Sequence, residues 1–178
     1  MSAHPPLLRR LVPADLPAVV RLQSRGYPLD YREPQAAFAA KLRASPDTAW
    51  GVDDADQPGE LLAYLFALPT RAWQWPTLHA DDWVAPSAPD GLYLHDLCLS
   101  PRARGQGLGP ALVGAARSHA QAQGWQRLVL IAVQASGPFW VRQGFAPVPP
   151  DVLQSAGADA SSFGDAACVM WAAVPPMT

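Results

Sequence analysis

The sequence predicts a single α/β (α+β) domain spanning residues 1–178, on three observations. Strand-like apolar runs alternate with stretches of helical spacing along the whole chain. Two of those runs, Thr48 to Val52 and Leu61 to Leu68, flank an acidic loop containing Pro58-Gly59, which reads as an antiparallel hairpin. The stretch from Leu92 to Gly124 passes from a strand through a glycine-rich turn into a helix.

Taken in order, Leu7 to Val12 reads as a short first strand, and Pro13-Ala14-Asp15 opens a helix with Leu16, Val19, Val20 and Leu22 on its apolar face. Gly26 and Pro28 end it. A second helix runs from about Glu33 to Ala44; its apolar positions Ala36, Ala37, Phe38, Ala40 and Leu42 are mostly small, which predicts a peripheral helix able to move. After the hairpin, Thr70 to Asp90 carries Trp73, Trp75 and Trp83 without a clean period. This predicts a long ordered loop or one with a short helix, whose tryptophans either wall an apolar substrate or anchor the loop to the core.

Leu92 to Leu99 is a buried strand ended by Ser100-Pro101, since proline has no N–H for a ladder. Leu108, Ala111, Leu112, Ala115, Ala116 and His119 then recur at helical spacing, with Pro110 in the first turn and Gly124 as the stop. Arg127 to Val133 is a continuous apolar run and so a buried strand. Phe139 to Phe145 reads as a short helix ended by Gly144; a strand starts at Phe145 and stops at Pro149-Pro150; Asp151 to Asp165 reads as a loop; Ala166 to Val174 is the closing strand. No internal repeat is visible.

A net charge of -2, with 16% charged residues, gives no electrostatic reason to expect a nucleic-acid partner. No window approaches the roughly 18 apolar residues of a membrane span, and the N-terminus lacks a secretory apolar core, so a soluble cytoplasmic protein is expected, away from membranes. Cys98 and Cys168 are too few for a disulfide framework or zinc cage; they read as core thiols, and no metal is expected.

The chemistry centres on Arg104-Gly105-Gln106-Gly107-Leu108-Gly109. Glycines let the backbone turn without a Cβ clash, and a turn feeding a helix N-terminus aims free N–H groups and the positive dipole end at one point, where a phosphate fits. A P-loop would need Lys-Ser/Thr after the last glycine, where Pro110-Ala111 stand, and a dinucleotide fingerprint needs a different glycine spacing. An unrelated nucleotide-binding protein is therefore disfavoured.

Arg-x-x-Gly-x-Gly between strand and helix, together with Phe139-Trp140-Val141-Arg142-Gln143-Gly144-Phe145 further on, resembles the GNAT superfamily of N-acetyltransferases, and the element order is similar across nearly the whole chain. The resemblance implies the GNAT fold: a mixed, mostly antiparallel central sheet of about seven strands flanked by about four helices. It implies acetyl-CoA as co-substrate, its pyrophosphate held by Arg104, Gly105, Gln106, Gly107, Leu108 and Gly109, its pantetheine arm along the backbone of Leu97, Cys98 and Leu99, with Trp140 nearby. It also implies that the first two helices and their connection wall an acceptor site, which makes Tyr27, Asp30, Tyr31 and Glu33 candidate contacts, with Tyr93 on the central strand.

An alkylammonium with a pKa near 10.4 is only about 0.1% free base at neutral pH, so the site needs a proton acceptor. Strict alternation along the central strand would put Tyr93, His95, Leu97 and Leu99 on one face and Leu94, Asp96 and Cys98 on the other. His95 titrates in the useful range and is the first candidate base; Asp96 is the second. Where the family usually has a tyrosine that protonates the leaving thiolate, this chain has Trp140, whose indole does not ionise, which leaves Ser136, a water or Tyr31 for that role. The reading is an acetyl-CoA-dependent N-acetyltransferase acting on a primary amine of a small molecule or peptide, with a homodimer left open. The alternative is a catalytically weak acyl-CoA sensor of the same fold.

Overall fold

Strand β4, Gly91–Leu99, is the axis of the computed structural model, which describes residues 7–177. Before it come β1 (Leu8–Arg10), α1 (Leu16–Gly26), α2 (Gln35–Ala44), β2 (Ala49–Asp53) and β3 (Leu61–Thr70). After it come α3 (Leu108–Ala122), β5 (Arg127–Ala132), α4 (Gly137–Arg142), β6 (Ala146–Pro147), α5 (Pro150–Ser155) and β7 (Cys168–Ala173). The seven strands form one sheet in the order β1-β2-β3-β4-β5-β7-β6. Every neighbouring pair is antiparallel except β4 and β5, which α3 joins as a crossover and therefore sets parallel.

The parallel pair is short. Its register runs from Gly91↔Arg127 to Leu94↔Leu130 and stops there, although β4 continues to Leu99 and β5 stays paired with β7 out to Ala132↔Cys168. The sheet thus opens between its two central strands.

Helices cover both faces. Leu112, Val113, Ala116 and Ala120 of α3 pack on Leu65, Leu92 and Leu94, while α1 and α2 bring Val19, Leu22, Phe38 and Leu42 against Tyr64, Phe66 and Cys98. The second helix is not peripheral: Phe38 is fully buried, 6.1 Å from the Tyr64 ring and 4.9 Å from that of Phe66, and Lys41 is buried beside it. Small residues there let the helix approach the sheet closely.

Residues 71–90 form an ordered loop without a helix, and its tryptophans anchor it. Trp75 stacks on Tyr93 at 6.1 Å and its Nε1 donates to the Asp159 carbonyl (2.8 Å), while Trp73 lies edge-on to Trp171 under the Arg127 guanidinium. The stretch expected to be a plain loop before the closing strand holds α5 and a 3₁₀ turn at Ser161–Phe163. Pro150 at the first helical position and Asp151 in the first turn are the start signals that mark α5, bringing the helices to five rather than four. Cys98 is buried as expected, but Cys168 is exposed at the start of β7.

Candidate active site

A cavity of about 730 Å³ starts at the glycine turn, follows the opening between β4 and β5, and ends between the α1–α2 connection and the loops carrying Leu78 and Phe163. It gathers the predicted residues Tyr27, Tyr31, His95, Asp96, Leu97, Cys98, Leu99, Arg104, Gly105, Gly107, Leu108, Gly109, Ser136 and Trp140.

At its mouth, Gly105 and Gly107 sit in the left-handed region, with φ of 78° and 77°, a conformation that a Cβ would strain. Gly107 caps α3, its carbonyl accepting from the Ala111 N–H at 3.0 Å. Among the described residues, the N–H groups of Gly105, Gly107, Leu108 and Gly109 meet no acceptor, so four donors converge at the helix N-terminus. Arg104 and Arg142 line the same end and make no ion pair among the described residues. Arg142 was missed from the sequence; the available signal was a basic residue in the last turn of α4, whose Phe139 abuts Gly109. Gln106 does not line the cavity: its N–H donates to the Ala103 carbonyl and its side-chain amide turns back to the Arg102 carbonyl (2.8 Å). This end matches the anionic phosphates of CoA in charge and donor set.

Inside the opening, β4 departs from the expected alternation. Phe66 pairs with Asp96 and the next residue, Ala67, pairs with Leu94, so His95 is the extra residue of a β-bulge. Leu94, Leu97 and Leu99 therefore lie on the α3 side, while Tyr93, His95, Asp96 and Cys98 lie on the other, Cys98 among residues of α1 and α2, His95 against Glu33, and Tyr93 against Leu68 and Val129. The bulge brings two titratable side chains to one side, where strict alternation would have parted them. Tyr93 is corrected too: it is 1% exposed, lies in the core against Leu68 and Val129, and does not reach the cavity.

The His95 side chain meets Glu33, with Nε2 2.7 Å from Oε2. A carboxylate only accepts, so Nε2 carries the hydrogen; Nδ1 is buried and has no partner among the described residues. Glu33 Oε1 accepts from Lys41 Nζ (2.9 Å) and from the His79 N–H (2.9 Å), while the Gln23 amide bonds both the N–H and the carbonyl of Glu33. Lys41, Glu33 and His95 are 0%, 2% and 1% exposed at their side chains. Burial pushes the Glu33 carboxyl up, but His95 and then Lys41 outweigh it and hold the group at about 2.

Asp96 sits deeper, accepting from the Tyr64 hydroxyl at 2.8 Å, with its other oxygen unpartnered among the described residues. Burial holds its carboxyl above the ordinary range against the pull of His95. The Tyr27 hydroxyl donates to the Leu97 carbonyl (2.8 Å), and burial, then the charge of Asp96, pushes it well above the usual phenol range, so it stays protonated. Ser136 follows two non-glycine residues in the left-handed region, Gln134 (φ 52°) and Ala135 (φ 59°), a strained turn that carries the chain out of β5 along the cavity edge. Trp140 is buried edge-on between Phe139 and Phe145 and lines the cavity. Among the described residues no cluster suited to a metal occurs, and no helix is long and apolar enough to cross a membrane.

The acetyltransferase (GNAT) family matches residues 16–145. No curated protein matches the chain. Among solved structures, Ard1 from Thermoplasma volcanium is similar at TM-score 0.69 and 18% identity, over 97% of this chain and 99% of its own. A GNAT-like decarboxylase, GphF, in complex with isobutyryl-CoA aligns at TM-score 0.68 and 16% identity, over 95% of this chain and 100% of its own. The ribosomal-protein-S18-alanine N-acetyltransferase from Escherichia coli aligns at TM-score 0.66 and 16% identity, over 97% and 95%.

Proposed function

The chain belongs to the GNAT acetyltransferase family, and from that premise we propose that it transfers an acetyl group from acetyl-CoA to a primary amine of a small molecule or peptide. The observation that carries this reading is the continuity of one cavity, from four N–H groups and two arginines without partners among the described residues at one end to the Glu33–His95 pair at the other.

Acetyl-CoA, when bound, supplies the activated thioester. The N–H groups of Gly105, Gly107, Leu108 and Gly109 and the guanidinium groups of Arg104 and Arg142 bind its phosphates. The main chain of Leu97, Cys98 and Leu99 lies along the opening and orients the arm, although the Leu97 carbonyl is already taken by Tyr27. His95 takes the ammonium proton at Nδ1 once the amine sits against it or through one water, and Glu33, holding Nε2–H, stabilises the imidazolium. Asp96, turned toward Tyr64, acts through the packing around His95. Ser136 lines the cavity and supplies a hydroxyl toward the leaving thiolate in place of Trp140, whereas the Tyr31 hydroxyl is committed to the Phe163 carbonyl.

The test is calorimetric titration of acetyl-CoA followed by thiol release against a panel of amines. Binding with release on one amine class is the expected result; binding without release favours the sensor reading, which the indole of Trp140 motivates; absence of binding overturns both. Arg104→Ala and Arg142→Ala should each weaken acetyl-CoA about tenfold by calorimetry, since each removes one charge-assisted contact. An unchanged affinity would take that arginine out of the cradle.

A further inference from the structure

At the acceptor end of the cavity the polar side-chain atoms of Tyr27, Tyr31 and Glu33 are already engaged within the protein, and His95 Nδ1 and Asp96 Oδ1, which have no partner among the described residues, are themselves buried. The Tyr27 hydroxyl donates to the Leu97 carbonyl (2.8 Å) and the Tyr31 hydroxyl to the Phe163 carbonyl (3.1 Å). Glu33 Oε1 receives Lys41 Nζ and the His79 N–H, and Oε2 receives His95 Nε2. The rest of the lining at this end is aromatic or aliphatic: Tyr27, Tyr31, Leu78 and Phe163. The negative charge of Glu33 is balanced locally by Lys41, both side chains being almost without exposure. The cavity's cations without an ion pair among the described residues, Arg104 and Arg142, stand at the opposite end, where Phe139 of α4 abuts Gly109.

Resting on the transferase reading above, we infer that the acceptor is a primary amine on a neutral, apolar body, an alkylamine or arylalkylamine, rather than an amino acid, a polyamine or a peptide end. Among the described residues a carboxylate on the acceptor would find no unpaired cation at this wall, and a second ammonium no exposed carboxylate, since Asp96 Oδ1, though without a partner, is buried. Each would lose its water without replacement, which disfavours its entry strongly. A peptide end would bring amide groups to a wall whose hydroxyls are committed. The single amino group is provided for by the Glu33–His95 pair, and an aryl or alkyl body by the ring faces of Tyr31 and Phe163.

Matched pairs test this with the full chain and saturating acetyl-CoA, reading thiol release. Phenethylamine and phenylalanine differ by one carboxylate, butylamine and 1,4-diaminobutane by one ammonium, and phenylalaninamide carries the amide of a peptide end. The kcat/KM of phenethylamine should exceed that of phenylalanine, and that of butylamine should exceed that of the diamine, by about 100-fold or more. Phenethylamine should also exceed phenylalaninamide. Leu78→Asp, which places an unpaired carboxylate on the wall, should raise the diamine relative to butylamine by about tenfold. Equal or inverted ratios in the unsubstituted protein overturn the inference while leaving the transferase reading in place; acetyl-CoA binding without turnover of any of the five amines overturns the inference and, if it extends across the wider amine panel, favours the sensor reading. Failure to bind acetyl-CoA overturns the reading on which it rests.

Discussion

Lys41→Met should lower the free energy of unfolding by about 3–5 kcal/mol, the range seen when one partner of a buried ion pair is removed. Methionine nearly matches the volume of lysine, so little of the loss comes from a cavity. Most of it comes from leaving the Glu33 carboxylate, 2% exposed, with His95 and one backbone N–H as its remaining partners. Lys41 also donates to the Ala80 carbonyl at 2.7 Å, so one ammonium ties α2, the α1–α2 connection and the long loop together. Chemical denaturation at neutral pH measures the difference. A change under 1 kcal/mol would mean that the ammonium's desolvation cancels its attraction to Glu33.

The same network fixes a pH dependence. The Glu33 carboxyl is held at about 2 in the fold against an ordinary 4.5, so the stability it adds is fully present above about 4.5 and is lost as pH falls toward 2. That lowering corresponds to about 3 kcal/mol. Asp96 works in the opposite sense: burial raises its carboxyl, so its contribution is greatest below its ordinary range and falls as pH rises through its folded value. The stability gap between the unsubstituted chain and Lys41→Met should therefore narrow below pH 4.5. A constant gap down to pH 2 would exclude Glu33 as its origin.

What could be read from the sequence was what is decided locally. The turn at Gly105 and Gly107 was legible because left-handed backbone selects glycine at those positions, and the β4-to-α3 order was legible from periodicity. The bulge at His95 was not, because it consists of a one-residue register shift against Phe66 and Ala67, fixed by pairing rather than by any residue of β4. Glu33 was visible only as one of several loop residues: its partners are eight positions away on α2 and 62 away on β4. Phe163 was hidden inside a stretch of small polar residues, and its place at the cavity follows from the Tyr31 hydroxyl that holds its carbonyl.

His95→Ala should lower kcat by about 10² to 10⁴, the usual worth of a general base, with acetyl-CoA affinity unchanged. The tautomer makes this more than a guess from strand position. Because Nε2–H is committed to Glu33, Nδ1 is the ring nitrogen left to take a proton, and an imidazolium formed by proton uptake stands 2.7 Å from a carboxylate held ionised well below neutral pH. Glu33→Gln keeps the shape of the contact while removing the negative charge that stabilises the imidazolium, so it should lower kcat, though less than His95→Ala does. A merely structural role for the pair would lower stability in both variants without lowering the kcat of the folded protein. The alanine variant also leaves the β4 main chain that lines the cavity in place, so calorimetry separates the two functions of this strand: arm binding through the backbone of Leu97 to Leu99, and proton uptake through one side chain carried by the bulge. An unchanged kcat in His95→Ala, with the protein folded and acetyl-CoA bound, would assign proton removal to solvent reaching the amine before it enters the cavity.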